Sequence, residues 1–402
     1  MQVLIADKIA SFVSGRLQDL GARVEVDPKL EGEALAERLA GLDPEVLIVR
    51  STRVESSHFA KARSLALIIR AGAGVNTIDV EAASQRGIYV ANCPGKNAAA
   101  VAELVFGHLI NLDRRIVDNA LALRKGEWNK QLFARAKGLR GRKLAVLGVG
   151  AVGREVIVRA KAFGMHVSAW SRSLSPKEAN ALGVEWAETP ENAVRDADAV
   201  TVHLALAPET RQRIGASVFQ AMKPGAYFIN TSRGEIVDEE ALLEACRTKG
   251  IRAGLDVFCN EPSAGQGQVQ SPLFEEPNVY GTHHIGASTE EAEEAVGEEV
   301  VRIVRAYRDG LPIPNCVNLA TKSAATHLVV VRHVDRVGVL ARVLGILGEA
   351  GHNVEGMQNI IFSGHAAACA RIEIVGEPAP GVVAAISQSP DIFAVTVSPL
   401  RT

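Results

Sequence analysis

Gly148-Val149-Gly150-Ala151-Val152-Gly153 follows an apolar run, Leu144 to Leu147, and opens a helical pattern that reaches about Phe163. In a strand, turn and helix so arranged, the glycines permit a tight turn and let the backbone approach a pyrophosphate. The negative charge then faces the positive end of the helix. Gly148, Gly150 and Gly153, with Ala151 and Val152 in the first helical turn, are therefore expected to bind a dinucleotide. The next strand pattern ends at Trp170, near the roughly 20-residue offset at which a carboxylate ordinarily holds the ribose 2′-hydroxyl. Ser171, Arg172 and Ser173 occupy that place instead. A hydroxyl followed by a guanidinium suits a 2′-phosphate, so NAD and NADP both stand as cofactors.

Three later segments collect polar groups that could act on a substrate. They are Asn230-Thr231-Ser232-Arg233-Gly234, Leu255-Asp256-Val257-Phe258-Cys259-Asn260-Glu261-Pro262, and Thr282-His283-His284-Ile285-Gly286-Ala287-Ser288-Thr289-Glu290. They carry a guanidinium with the fork geometry for a carboxylate, acidic side chains, and imidazoles that change protonation near neutral pH. Two more arginines, Arg50 and Arg53, follow the apolar run Val46 to Val49. That is the carboxyl end of a strand, where open α/β sheets bind ligands.

Positioning these groups requires α/β architecture. Short apolar runs (Val3 to Ala6, Val46 to Val49, Leu67 to Arg70, Lys143 to Leu147, His166 to Trp170) alternate with longer amphipathic segments, the pattern of βαβ units and parallel sheets. One series lies before about residue 97 and a second begins near Lys143, joined by a helical pattern from Ala98 to about Lys125. The cleft between two such domains is the expected ligand site. After the proline-rich stretch Leu311 to Asn315, a third unit reads as βαββαβ: strands near 327–331, 357–362, 366–374 and 392–397, with a helix over 338–348 and another before the last strand.

Bulk properties narrow the class. The 402 residues require two to three domains, and 47% hydrophobic against 22% charged residues describes a chain able to bury large cores. Lysine and arginine number 44 against 46 acidic residues, so no global basic field exists to hold a nucleic acid. Neither a signal-peptide pattern nor a membrane-spanning run of about 18 apolar residues occurs, and a cytoplasmic protein without membrane partners is expected. Five scattered cysteines show no zinc-site spacing; they are expected to be reduced thiols, with no metal bound.

In their order downstream of the glycine turn, the three polar segments resemble the signatures of the D-2-hydroxyacid dehydrogenases. The resemblance implies hydride transfer between a nicotinamide and a 2-hydroxy or 2-oxo acid. Arg233 would orient the substrate carboxylate, His284 would be the general acid/base, and Glu261 would fix its tautomer and favour its charged form. Asp256 would lie beside the nicotinamide. Where the family usually has proline before the catalytic histidine this chain has His283, and the Ile-Gly-Ala-Ser-Thr-Glu register after His284 selects His284. Arg70 to Asp79 looks like the family's substrate loop, with Ala73, Gly74 and Val75 offering backbone N–H groups, and Asn97 to Leu104 resembles the start of the interdomain helix, placing Asn97 at the substrate.

Gly126 to Lys130 and Gln270 to Leu273 are similar to the branch that acts on 3-phosphoglycerate, the first step of L-serine synthesis. Arg50 and Arg53 would then meet the phosphate, with Lys130 reaching across to a neighbouring subunit. The resemblance implies a substrate domain of residues 1–97 and 286–318 and a nucleotide domain of residues 98–285. Residues 325–402 resemble an ACT domain, a ferredoxin-like module that binds amino-acid effectors between paired copies. His333, Asp335 and Asn353 would line that site in a homodimer or homotetramer. Two other readings share these residues: an NADPH-dependent hydroxypyruvate or glyoxylate reductase, favoured by Ser171-Arg172, and a nucleotide-sensing binding protein of the corepressor type.

Overall fold

The computed structural model describes residues 1–59, 61–262 and 267–400. They form two compact units, Met1–Asn318 and Leu319–Thr402.

The first unit is built on two parallel sheets. β1 (Gln2–Ile5), β2 (Arg23–Val26), β3 (Val46–Val49), β4 (Leu67–Arg70) and β5 (Tyr89–Asn92) lie in the order β2-β1-β3-β4-β5. β3 is apolar throughout, and β1 and β4 are apolar but for Gln2 and Arg70 at their ends, because both faces are covered. The chain runs outward from β1 to β2 and returns to β3 on the other side of β1. The carboxyl ends of β1 and β3 therefore flank a topological switch point, where a crevice opens. Asp7 and Arg50 follow those two ends.

β6 (Lys143–Leu147), β7 (His166–Trp170), β8 (Glu185–Trp186), β9 (Ala199–Val202), β10 (Tyr227–Asn230), β11 (Arg252–Leu255) and β12 (Val279–Gly281) make the second sheet, ordered β12-β11-β10-β9-β6-β7-β8 and parallel throughout. Its switch point lies between β6 and β9, beside the turn at Gly148. Two helices tie the sheets together. Ala98–Arg114 buries Ala102, Val105, Phe106, Leu109 and Leu112, a helical spacing, against Leu144, Val146, Tyr227 and Ile229 of the second sheet. Glu290–Arg308, coming after β12, returns to the first sheet and packs Val300, Val301, Ile303 and Val304 against Val3, Ile5, Val46 and Ile48.

The helical pattern from Ala98 to Lys125 is not one helix. Arg115 is left-handed (φ 53°) and separates Ala98–Arg114 from Ile116–Arg124. Side chains hold the break: Asn111 Oδ1 accepts from the Val117 N–H at 2.9 Å, and Arg115 Nε donates to Asp118 at 2.7 Å.

The second unit carries β13 (His327–Val334), β14 (Val354–Ile361), β15 (Ala367–Ile374) and β16 (Ile392–Pro399) in an antiparallel sheet ordered β14-β15-β13-β16, with helices Val339–Glu349 and Pro380–Ser387. Alternate residues Val329 and Val331 of β13, with Ala370, Ile372 and Ile374 of β15, meet Val343, Leu347 and Ile386 of the helices. This is the βαββαβ module expected from the sequence.

Ile303 is fully buried whereas Leu311, just past the same helix, is 57% exposed. Ile303→Ala is predicted to cost about 2–5 kcal/mol in urea unfolding, and Leu311→Ala to stay within about 0.5 kcal/mol. Equal effects would contradict the packing of this helix on the first sheet.

Candidate active site

The carboxyl ends of both sheets face one cleft of about 2560 Å³. Its lining includes Arg50, Arg53, Ala73, Gly74, Val75, Asn97, Gly150, Ala151, Val152, Arg233, Asp256, Glu261 and His284. Residues separated by more than two hundred positions are thus brought together.

On the second sheet, Asn230 ends β10 and builds the turn that presents Arg233. Its side-chain oxygen accepts from the Ser232 N–H (3.0 Å) and hydroxyl (2.7 Å), and its amide donates to the Arg233 carbonyl (3.0 Å). Gly234 presses on the Phe258–Cys259 backbone so closely that any side chain would collide, which draws the ends of β10 and β11 together. Glu261 follows β11 and meets His284, whose Nδ1 lies 2.7 Å from Glu261 Oε2. A carboxylate only accepts, so Nδ1 carries the hydrogen and Nε2 is left for the cleft. Burial pushes the Glu261 carboxyl up, but the hydrogen bonds from His284 and from the Phe258 N–H, with the charges of His284 and Arg233, outweigh it and hold it low. His284 has positive φ (51°), and its N–H donates to the Asp256 carbonyl at 2.8 Å. The Asp256 side chain is buried and its oxygens accept from Thr282 Oγ1 and the N–H groups of Ile285 and Gly286. That carboxylate holds the loop of His284.

On the first sheet, Asp7 Oδ2 gathers the N–H groups of Arg50, Ser51 and Thr52 at 2.6, 2.9 and 2.9 Å and fixes the loop of Arg50. The Arg50 guanidinium pairs with Glu293 at 2.8 Å, whereas Arg53 stands at the rim, 71% exposed and 3.9 Å from Glu55. A third cation, at the head of the substrate loop, stands beside Arg50. Arg70 ends β4, donates from Nε to the Arg50 carbonyl (3.0 Å), and lies against Gly72, where any side chain would collide with it. Burial, then repulsion from Arg233 and Arg50, lowers its pKa to about 10. At Gly74 a Cβ would stand 3.0 Å from Arg233 Nη2, so the loop passes directly beside that guanidinium. Asn92 holds the loop from below, donating to the Ala73 carbonyl at 2.6 Å. Arg70 is the one charged residue closing an otherwise apolar strand, Leu67–Arg70.

The glycine turn fits a dinucleotide. Gly148 (φ 105°) lies so near the His203 carbonyl that a Cβ would come within 2.5 Å, and a side chain at Gly153 would strike the Gly148 carbonyl. At Gly150 a Cβ would meet nothing, so that backbone is open on the cleft, at the start of the helix Ala151–Ala162. Thr231, which lines the cleft, carries a buried hydroxyl without a partner among the described residues. Ser171 and Arg172 follow β7, beyond the cleft lining, and Arg172 is 79% exposed and pairs with Glu209 at 3.1 Å. Lys130 is exposed on the short helix Lys130–Phe133 and does not line the cleft.

The three residues proposed for an effector are not gathered in one copy. His333 is 1% exposed and both its nitrogens are occupied, by the Val334 carbonyl (2.7 Å) and Asn359 (3.2 Å), so it does not present itself to a ligand. Asp335 is level with Ala366 and Asn353 with Val375, at opposite ends of β15. At about 3.4 Å per residue they lie roughly 30 Å apart.

The family model for the D-isomer specific 2-hydroxyacid dehydrogenase NAD-binding domain matches residues 106–286. A D-3-phosphoglycerate dehydrogenase of Methanocaldococcus jannaschii is 38% identical over 79% of this chain and 60% of its own length. A glyoxylate reductase of Thermococcus litoralis is 36% identical over 73% of this chain and 88% of its own. A solved Thermus thermophilus protein superposes with a TM-score of 0.70 at 34% identity, covering 79% of this chain and all of that one. The chain belongs to the D-isomer specific 2-hydroxyacid dehydrogenase family. It spans about 60% of the length of the phosphoglycerate dehydrogenases it matches. Among the described residues no helix is long and apolar enough to cross a membrane.

Because a Cβ at Gly150 would meet no protein atom, Gly150→Val is predicted to fold, with only the small loss in Tm of a poorer N-cap residue, yet bind NADH at least about tenfold more weakly, by obstructing the approach to the helix N-terminus. Unchanged affinity in a titration of NADH fluorescence would remove this turn from the nucleotide site.

Proposed function

We propose that this chain interconverts a D-2-hydroxy acid and its 2-oxo acid, with 3-phosphoglycerate and 3-phosphohydroxypyruvate as the pair. The observation that carries the reading is the convergence of Arg50, Arg70 and Arg233 on the cleft that also holds the His284–Glu261 pair. A nicotinamide nucleotide, when bound, supplies or takes up the hydride at C2. Arg233 and the Gly74–Val75 backbone receive the carboxylate, leaving the C2 oxygen toward His284. In reduction His284 Nε2 gives that oxygen a proton, and in oxidation it takes the proton back. Glu261 keeps Nδ1–H engaged and offsets the positive charge of the imidazolium. Arg70 and Arg50 are left for the phosphate, and a phosphate that reaches Arg50 displaces or repels Glu293.

Glu293 also gives the alternative reading its footing. Its carboxylate partly neutralises Arg50, which lowers the advantage of a phosphorylated substrate over glyoxylate or hydroxypyruvate. Ser171-Arg172 favours NADPH on the same grounds, with Glu209 as the competing partner. For the second unit we propose an amino-acid effector held between two copies, Asp335 from one and Asn353 from the other, which requires at least a homodimer.

His284→Ala is predicted to lose at least about a hundredfold in kcat while keeping NADH affinity; retention of most of the rate would contradict the assignment. Arg70→Leu is predicted to raise KM for phosphohydroxypyruvate about tenfold or more with little change for hydroxypyruvate, and Glu293→Gln to lower the former. Equal effects on both substrates would take these residues out of phosphate recognition.

A further inference from the structure

Behind the loop of His284 lies a polar chain that the reaction as described leaves without a task. His108 belongs to the Ala98–Arg114 helix and is 6% exposed, on the side that otherwise buries Val101, Val105, Leu109 and Leu112. An imidazole among these residues has no apolar purpose. Its Nε2 lies 3.2 Å from Thr282 Oγ1, and Thr282 Oγ1 lies 2.5 Å from Asp256 Oδ1. The carboxylate only accepts, so the hydroxyl donates to Asp256 and His108 Nε2–H donates to the hydroxyl. The direction of the chain is thereby fixed.

Its far end is the reacting loop. The two Asp256 oxygens accept from Ile285 N–H at 2.9 Å and Gly286 N–H at 2.8 Å, and the main-chain carbonyl accepts from His284 N–H at 2.8 Å. His284 itself has a left-handed backbone, a conformation that the surroundings must impose on a residue with a side chain. The near end is seated as firmly. A Cβ on Gly254, two residues before Asp256, would come within 2.8 Å of His108 Cβ and 2.9 Å of its Cγ and Nδ1, so the ring rests directly on the backbone of β11. Burial lowers the pKa of His108, and the neighbouring Asp256 opposes this only in part, which leaves the neutral ring with a single N–H to give.

We propose that His108 is a positioning residue: through Thr282 and Asp256 it holds the 284–286 loop, and with it the attitude of the His284 imidazole toward the substrate. The proposal rests on the reading of His284 as the proton donor. It assigns the interdomain helix a part in the chemistry without contact with the reacting atoms.

Three variants test it: His108→Leu, which fills the site without a donor; His108→Gln, whose amide can give a hydrogen from about the place of Nε2; and Thr282→Val, which cuts the chain and leaves His108 in place. We expect His108→Leu and Thr282→Val each to lower kcat about tenfold with KM for the 2-oxo acid within about twofold, His108→Gln to recover to within about threefold of wild type, and the double variant to be no slower than the slower single one. In the resting protein, amide hydrogen exchange at Ile285 and Gly286 should quicken in His108→Leu and Thr282→Val and return in His108→Gln. Exchange needs no substrate, so it decides the proposal even if wild type turns over none of the acids tried, an outcome that would instead defeat the hydride-transfer reading. Wild-type exchange in both donor-lacking variants, or a His108→Gln as slow as His108→Leu, would overturn the positioning role.

Discussion

The 2.7 Å hydrogen bond from His284 Nδ1 to Glu261 decides which imidazole nitrogen is available in the cleft, and much of the surrounding structure maintains it. Glu261 is delivered by the end of β11 and His284 by the loop after β12, neighbouring parallel strands in the second sheet. Gly234 lets the β10 turn close on the β11 turn, so Arg233 reaches the same space. The buried Asp256 carboxylate then draws in the loop after His284. An imidazole facing the same cleft as a guanidinium is thus a consequence of strand order, one close backbone approach and the buried Asp256 carboxylate.

The opposite wall works by a different principle. Arg50, Arg70 and Arg233 are like charges held close together, an arrangement that costs free energy until an anion arrives. The backbone of the Arg50 loop is anchored by three N–H groups on Asp7, and Arg70 Nε is anchored to the Arg50 carbonyl, which keeps Arg70 beside that loop. Glu293 relieves the strain on one of them. On the proposed reading the cleft is prepared for a substrate with negative charge at both ends, and Glu293 sets how strongly the second charge is rewarded.

What the sequence made legible was what depends on local spacing. The glycine turn between Leu147 and Ala151, the parallel α/β sheets and the βαββαβ module all follow from periodicity and turn chemistry. Contacts fixed by tertiary register were not legible. Arg70 reads as the start of the substrate loop, but its contact with the Arg50 loop, and the grip of Asp7 on that loop, depend on strands that are distant in the chain. His108 does break an apolar helical face, which is a signal, but its partner Thr282 lies 174 residues away. The helix break at Arg115 carries neither glycine nor proline and is held by side chains, so periodicity ran through it. In the second unit, the separation of Asp335 from Asn353 follows from the pairing of β13 and β14 with β15, which no local pattern reveals.

The most direct measurement is kcat/KM for reduction of phosphohydroxypyruvate, hydroxypyruvate and glyoxylate, each with NADH and with NADPH. Turnover of 2-oxo acids is expected, with a preference of at least about tenfold for the phosphorylated one if Arg50 and Arg70 receive its phosphate as proposed. No consumption of either reduced nucleotide with any of the three would contradict hydride transfer at this site. A preference for glyoxylate or hydroxypyruvate would leave the proton donor standing and contradict the phosphate pocket.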